Sequence, residues 1–72
     1  MPCVSADGKP TESGRQMIAA LKAGNKTAED VGAASGMPLY RVRSGLREMV
    51  EAGLVSESDG SHTLTEQGMA AA

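Results

Sequence analysis

The chain has 72 residues, with 7 Lys and Arg against 9 Asp and Glu and a net charge of −2. A chain of this size buries only about 60% of its unfolded surface on folding, which means one small domain with a thin core. That leaves no room for a deep substrate cavity and its supporting shell, so the sequence predicts a protein that is not an enzyme. The acidic balance excludes nonspecific coating of nucleic acid, which calls for a basic excess. One Tyr without Phe or Trp excludes platforms that stack single-stranded bases on aromatic rings. One Cys, Cys3, and one His, His62, cannot form an internal disulfide or a zinc site by themselves, so no metal and no cofactor are expected. No apolar run is long enough for a signal peptide or a membrane span. The expected setting is the reduced cytoplasm, away from membranes.

Residues 1–10 (MPCVSADGKP) carry Asp7-Gly8 and Pro10 as breakers and read as a disordered lead-in. Thr11 then offers an N-cap. Met17, Ile18 and Leu21 share one face, and Gly24 supplies a stop, which predicts a first helix over 12–23. Thr27-Ala28-Glu29-Asp30 is close to a capping box and predicts a second helix over 28–35, ended by Gly36. Two turns are not stable alone, so its small-residue stripe of Ala28, Val31 and Ala34 must pack across another helix.

Met37-Pro38 leads into a third helix over about 38–52, because proline at the first helical position loses no hydrogen bond. Its inward face is Val42, Leu46, Met49 and Val50, with Gly53 as the stop. Gly45 inside it either permits a close helix approach or marks a weak point. Leu54–Glu57 and Ser61–Leu64 flank Ser58-Asp59-Gly60, and Asp-Gly is a strong hairpin signal. Thr65 can cap one further turn, and residues 69–72 are expected to fray. The predicted fold class is mainly α with a small β-hairpin, a three-helix winged helix-turn-helix over 11–68. Leu46 should centre its core among Met17, Ile18, Leu21, Val31, Val42, Met49 and Leu54.

The outer face of the third helix carries the candidate functional residues. With Val42 at zero and 100° per residue, Arg43, Arg47, Tyr40 and Ser44 fall at about 100°, 140°, 160° and 200°. In a major groove the arginines can bind guanine through two hydrogen bonds, while Tyr40 and Ser44 can reach phosphates and Arg41, on the flank, can hold the DNA backbone. The plainer reading is a solvated face on which Arg47 pairs with Glu51 at i, i+4. The segment 56–62 has no Lys or Arg, which argues against a phosphate contact from the hairpin. His62 reads as an exposed strand residue, or as a group whose charge changes near neutral pH.

The stretch Thr27–Val55 (TAEDVGAASGMPLYRVRSGLREMVEAGLV) resembles the helix-turn-helix core of bacterial winged-helix regulators. Leu64-Thr65-Glu66-Gln67-Gly68 resembles the end of the wing in repressors of the MarR, ArsR and PadR kinds. Gly36–Arg43 is similar to the short regulators of fimbrial operons. The resemblance implies a small transcriptional regulator that binds double-stranded DNA sequence-specifically, using Tyr40, Arg41, Arg43, Ser44 and Arg47. A second protomer or another regulatory protein on adjacent DNA would add affinity. Winged helices also serve as protein-binding modules, so an adaptor without DNA binding is the alternative.

Overall fold

Threonine hydroxyls start the first two helices. In the computed structural model, which describes residues 4–71, Thr11 caps α1 (Glu12–Lys22) and accepts from the Gly14 N–H at 3.4 Å. Thr27 caps α2 (Ala28–Ser35) and accepts from the Asp30 N–H at 3.1 Å. Each hydroxyl satisfies one of the amides that a helix start leaves unpaired, and Glu12, Glu29 and Asp30 set negative charge at the positive ends of the dipoles. Gly36, at φ +75°, ends α2 in the left-handed conformation that glycine adopts without a side-chain clash. Pro38 then sits at the N-cap of α3 (Leu39–Glu51), one position earlier in the helix start than the sequence predicts. Cys3 lies outside the described residues.

The chain turns back through β1 (Val55–Ser58) and β2 (Ser61–Leu64), paired antiparallel from Val55↔Leu64 to Ser58↔Ser61. Asp59 at φ +51° and Gly60 at φ +79° make the doubly left-handed two-residue turn whose twist matches that of the strands. Such a turn makes Ser58 and Ser61 a hydrogen-bonded pair. Glu57 and His62, the next pair along, therefore aim their backbone groups outward. The His62 N–H uses that direction to donate to the Lys26 carbonyl, 2.8 Å away in the α1–α2 connection. A last helix, α4 (Glu66–Ala71), starts at Thr65, whose Oγ1 accepts from the Gly68 N–H at 3.1 Å and donates to the Gly53 carbonyl at 2.6 Å.

The fold is thus α-rich with one small hairpin, and its core lies where α1, α2, α3 and the start of the hairpin converge. Met17, Ile18, Leu21, Val31, Val42, Leu46, Met49 and Leu54 are all buried, joined by Ala20 and Val55. Val50 departs from the predicted inward face and is 38% exposed. At about 80° from Val42 it stands on the edge of the apolar stripe, next to the Arg43 side. Gly45 is buried on α3. Residues 4–10, read from sequence as a lead-in, close into a turn: the Ser5 N–H donates to the Lys9 carbonyl and Val4 bridges to Pro10. Val4 packs against the core from there. No helix among the described residues is long and apolar enough to cross a membrane.

Candidate functional site

The five residues expected to act together on α3 are divided between different surroundings. Tyr40 is 74% exposed near the start of the helix, and Ser44 is exposed one turn on. Arg41 is half-buried and reaches across to α1, where its guanidinium donates to Ser13 Oγ at 3.3 Å. Arg43 forms an ion pair with Glu29 of α2 at 3.8 Å, with both side chains largely exposed. Such a pair contributes at most about 1 kcal/mol, but it places a carboxylate beside this guanidinium. Arg47 is exposed and, among the described residues, has no ion-pair partner. The Arg47–Glu51 pair that helical spacing suggests is not formed.

Arg43 and Arg47 border a groove of about 570 Å³ that α2, α3 and the hairpin enclose. Ala28 from α2, with Leu46 and Val50 from α3, supplies the apolar part of its lining. Glu29, Glu51 and Glu57 also line it, so carboxylates outnumber guanidinium groups in the lining. His62 forms part of the hairpin wall. Its Nδ1 lies 2.9 Å from the same Lys26 carbonyl oxygen that its N–H engages. A carbonyl only accepts, so Nδ1 carries the hydrogen in that contact.

This is space of a size that holds small ligands, with apolar and charged side chains mixed in its lining. Sequence reasoning singled out Arg43 and Arg47 and missed Val50, Glu57 and His62 as their neighbours. Part of the signal was there. An Asp-Gly turn of two residues sets Glu57 opposite His62, and the 100° rule puts Val50 beside Arg43. The seating of the hairpin on Lys26 has no counterpart in local sequence. Among the described residues no group of three or more His, Cys, Asp or Glu could hold a metal ion.

No protein-family description and no curated protein matches the chain. Among solved structures it is similar to the crystal structure of an O-methyltransferase (NcsB1) from neocarzinostatin biosynthesis in complex with S-adenosyl-L-homocysteine. The TM-score is 0.70 at 28% identity, over 78% of this chain and 19% of that one. The chain therefore spans less than a fifth of that enzyme's length.

This likeness corrects the functional expectations. The resemblance to MarR-, ArsR- and PadR-type regulators led to sequence-specific DNA binding and transcription regulation, and to a chain unrelated to enzymes. The structural likeness is instead to a methyltransferase, and it gives no support to the adaptor alternative either. The surface gives a physical reason. Arg41 is turned to α1, Arg43 is paired with Glu29, and Arg47 lines the groove together with carboxylates, so α3 does not present the continuous basic strip that phosphates attract.

Proposed function

We propose that this chain is the acceptor-side accessory unit of an O-methyltransferase-type enzyme acting on a small molecule, built as a winged-helix arrangement. The single observation that carries this reading is the likeness to NcsB1 over 78% of the chain but only 19% of that enzyme. A unit matching so small a part of a methyltransferase supplies one portion of its machinery. The described residues do not fit the donor portion. The strand that feeds a helix, β2, does so through Thr65 alone. A glycine-rich loop between strand and helix, with backbone amides turned to a nucleotide-like ligand, is the arrangement that holds such cofactors. A methyl donor would thus bind on a separate unit, and this chain would face the hydroxyl compound. A cytoplasmic setting, expected from the sequence, is part of the proposal.

The test is an amide-shift titration of the 72-residue chain, first with S-adenosyl-L-homocysteine and then with a panel of hydroxylated small molecules. The expected result is no shift with the first and saturable shifts, anywhere on the surface, with members of the second. Saturation by S-adenosyl-L-homocysteine alone overturns the reading, as does a panel in which no compound moves any amide.

A further inference from the structure

The dipeptide Asp-Gly occurs twice in the chain, at Asp7-Gly8 and at Asp59-Gly60. It has a chemistry of its own. The glycine amide nitrogen, with no side chain to shield it, attacks Cγ of a neutral aspartic carboxyl group. A C–N bond forms, the carboxyl C–OH bond breaks, and the hydroxyl leaves with the amide hydrogen as water. The product is a succinimide ring, which water reopens at either carbonyl. Cleavage of the Cγ–N bond restores aspartate. Cleavage of the backbone C–N bond leaves the chain running through Cβ and Cγ, as isoaspartate. Water leaves and water returns, so the step needs no oxidant, reductant or enzyme. It does need a carboxyl group free to protonate and turn, and an N–H that no acceptor holds.

At Asp7-Gly8 both requirements fail. The Asp7 carboxylate accepts from the Ser5 hydroxyl and from the Lys9 N–H at 3.1 Å. Bonds to the charged form keep the carboxyl ionised, and here the Ser5 bond is the largest cause. The Gly8 N–H donates to the Ser5 carbonyl at 2.9 Å, so attack would break that bond too. The remaining aspartate, Asp30, is followed by β-branched Val31, whose N–H donates to the Thr27 carbonyl at 2.9 Å. Asparagine closes the same ring with loss of ammonia, but the Asn25 amide donates to the Ala20 carbonyl at 3.0 Å and lysine follows it.

Asp59-Gly60 is the opposite case. Both residues are exposed at the tip of the hairpin. Among the described residues neither the Asp59 carboxylate nor the Gly60 N–H has a hydrogen-bond or ion-pair partner. A Cβ built on Gly60 meets no atom within 4 Å, so the turn has room for a ring. Asp59 also holds φ +51°, a conformation that is unfavourable for a residue with a Cβ. Little is lost when it moves to meet the nitrogen.

We infer that Asp59 is a site of spontaneous isoaspartate formation, selected over Asp7 by the fold although both precede glycine. The inference goes beyond the acceptor-side reading and does not depend on it. Its structural consequence follows from chain length. Isoaspartate adds Cβ to the path of a two-residue connection, so the doubly left-handed turn no longer matches the strands. The Ser58↔Ser61 pair then opens, and His62, next along β2, loses the alignment that sets its N–H on Lys26.

The test is incubation of the 72-residue chain for weeks at neutral pH and body temperature. Isoaspartate is mapped by electron-transfer fragmentation, which cleaves the Cα–Cβ bond that the isomer carries in its backbone. The isomer should build up at Asp59 at least about tenfold faster than at Asp7, the combined effect of the hydrogen bonds that only Asp7-Gly8 makes. In guanidinium chloride the two positions should react at similar rates. Ser5→Ala should speed Asp7 about fivefold, the worth of one bond, and leave Asp59 unchanged. The purified isomer should show displaced Ser61 and His62 amides, with those of Met17 and Leu46 unmoved. Equal rates in the folded chain, a faster Asp7, an unchanged Asp7 rate in Ser5→Ala, or the same ratio with and without denaturant each overturns the inference. An isomer whose Ser61 and His62 amides stay in place overturns the consequence for the hairpin.

Discussion

Gly68 is the tightest fit in the molecule among the glycines whose surroundings are described. A Cβ built there would lie 2.0 Å from the Leu54 carbonyl oxygen and 3.1 Å from Leu64 Cδ2. The obstacle is backbone, which cannot swing aside as a flexible side-chain tip does. Gly68→Ala should therefore lift α4 from the hairpin and cost about 1–3 kcal/mol, the range for overpacking a well-filled site. Denaturant unfolding checks this, and a midpoint equal to wild type with α4 still docked would contradict it. A second expectation concerns the loop before α1. The Ser5 hydroxyl donates to the Asp7 carboxylate, and the Lys9 N–H adds a bond at 3.1 Å. With the Ser5 bond the largest cause, the Asp7 carboxyl is held below the usual carboxylate value. Its depressed folded value means that any stability it lends is present above the unfolded value and is lost as the pH falls through the folded one. Ser5→Ala should move the Asp7 titration midpoint, read by carboxyl chemical shift, upward; an unmoved midpoint would show that Ser5 is not the cause.

At the scale of elements, most of the helices were legible because their signals are local. The bounds of α2 follow from Thr27 and Gly36, α1 ends one residue earlier than expected, and α3 is shorter than expected by one residue at each end. The hairpin was legible for the same reason, although β1 lies one residue later than expected and Ser58, read as part of the connection, pairs with Ser61 as its last residue. Asp59-Gly60 needs two left-handed residues, and the turn has them. Gly60→Val places a β-branched residue at φ +79°, where its side chain is strained regardless of the open space around it. Cross-strand contacts between Ser56 and Thr63 should weaken while α1–α3 stay folded. Intact pairing in that variant would show that the turn does not depend on glycine. Less legible was the way elements meet. Nothing in a window of a few residues states that Arg41 will turn to Ser13, 28 positions away, or that His62 will reach Lys26, 36 positions away. The candidate site depended on those distant meetings, so the arginines were found and their neighbours were not.

For the molecule as a whole, stability is concentrated in one small core. Leu46 is 2% exposed and packs in the cluster that joins α1, α2, α3 and β1. Leu46→Ala should cost about 2–5 kcal/mol, a large share of the roughly 4–10 kcal/mol a domain of this length commands. A melting temperature within a few degrees of wild type would show that Leu46 is not central. The same concentration explains how a chain so short can leave Val50 outside its core. The inner stripe of α3 is already filled by Val42, Leu46 and Met49, and a further aliphatic residue at its edge faces the groove instead.

The bond from the His62 N–H to Lys26 has a consequence for how the molecule breathes. The amides of Ser61 and Thr63 face β1, so their hydrogens are shielded for as long as the two strands stay zipped. The His62 amide faces the other way and is shielded only while the hairpin rests against the α1–α2 connection. Adjacent positions on one strand thus keep separate clocks. Deuterium uptake at Thr63 times the opening of the ribbon, and uptake at His62 times its departure from the helices. If the ribbon swings away intact, His62 exchanges well before Thr63; if it leaves only by unzipping, the two exchange together.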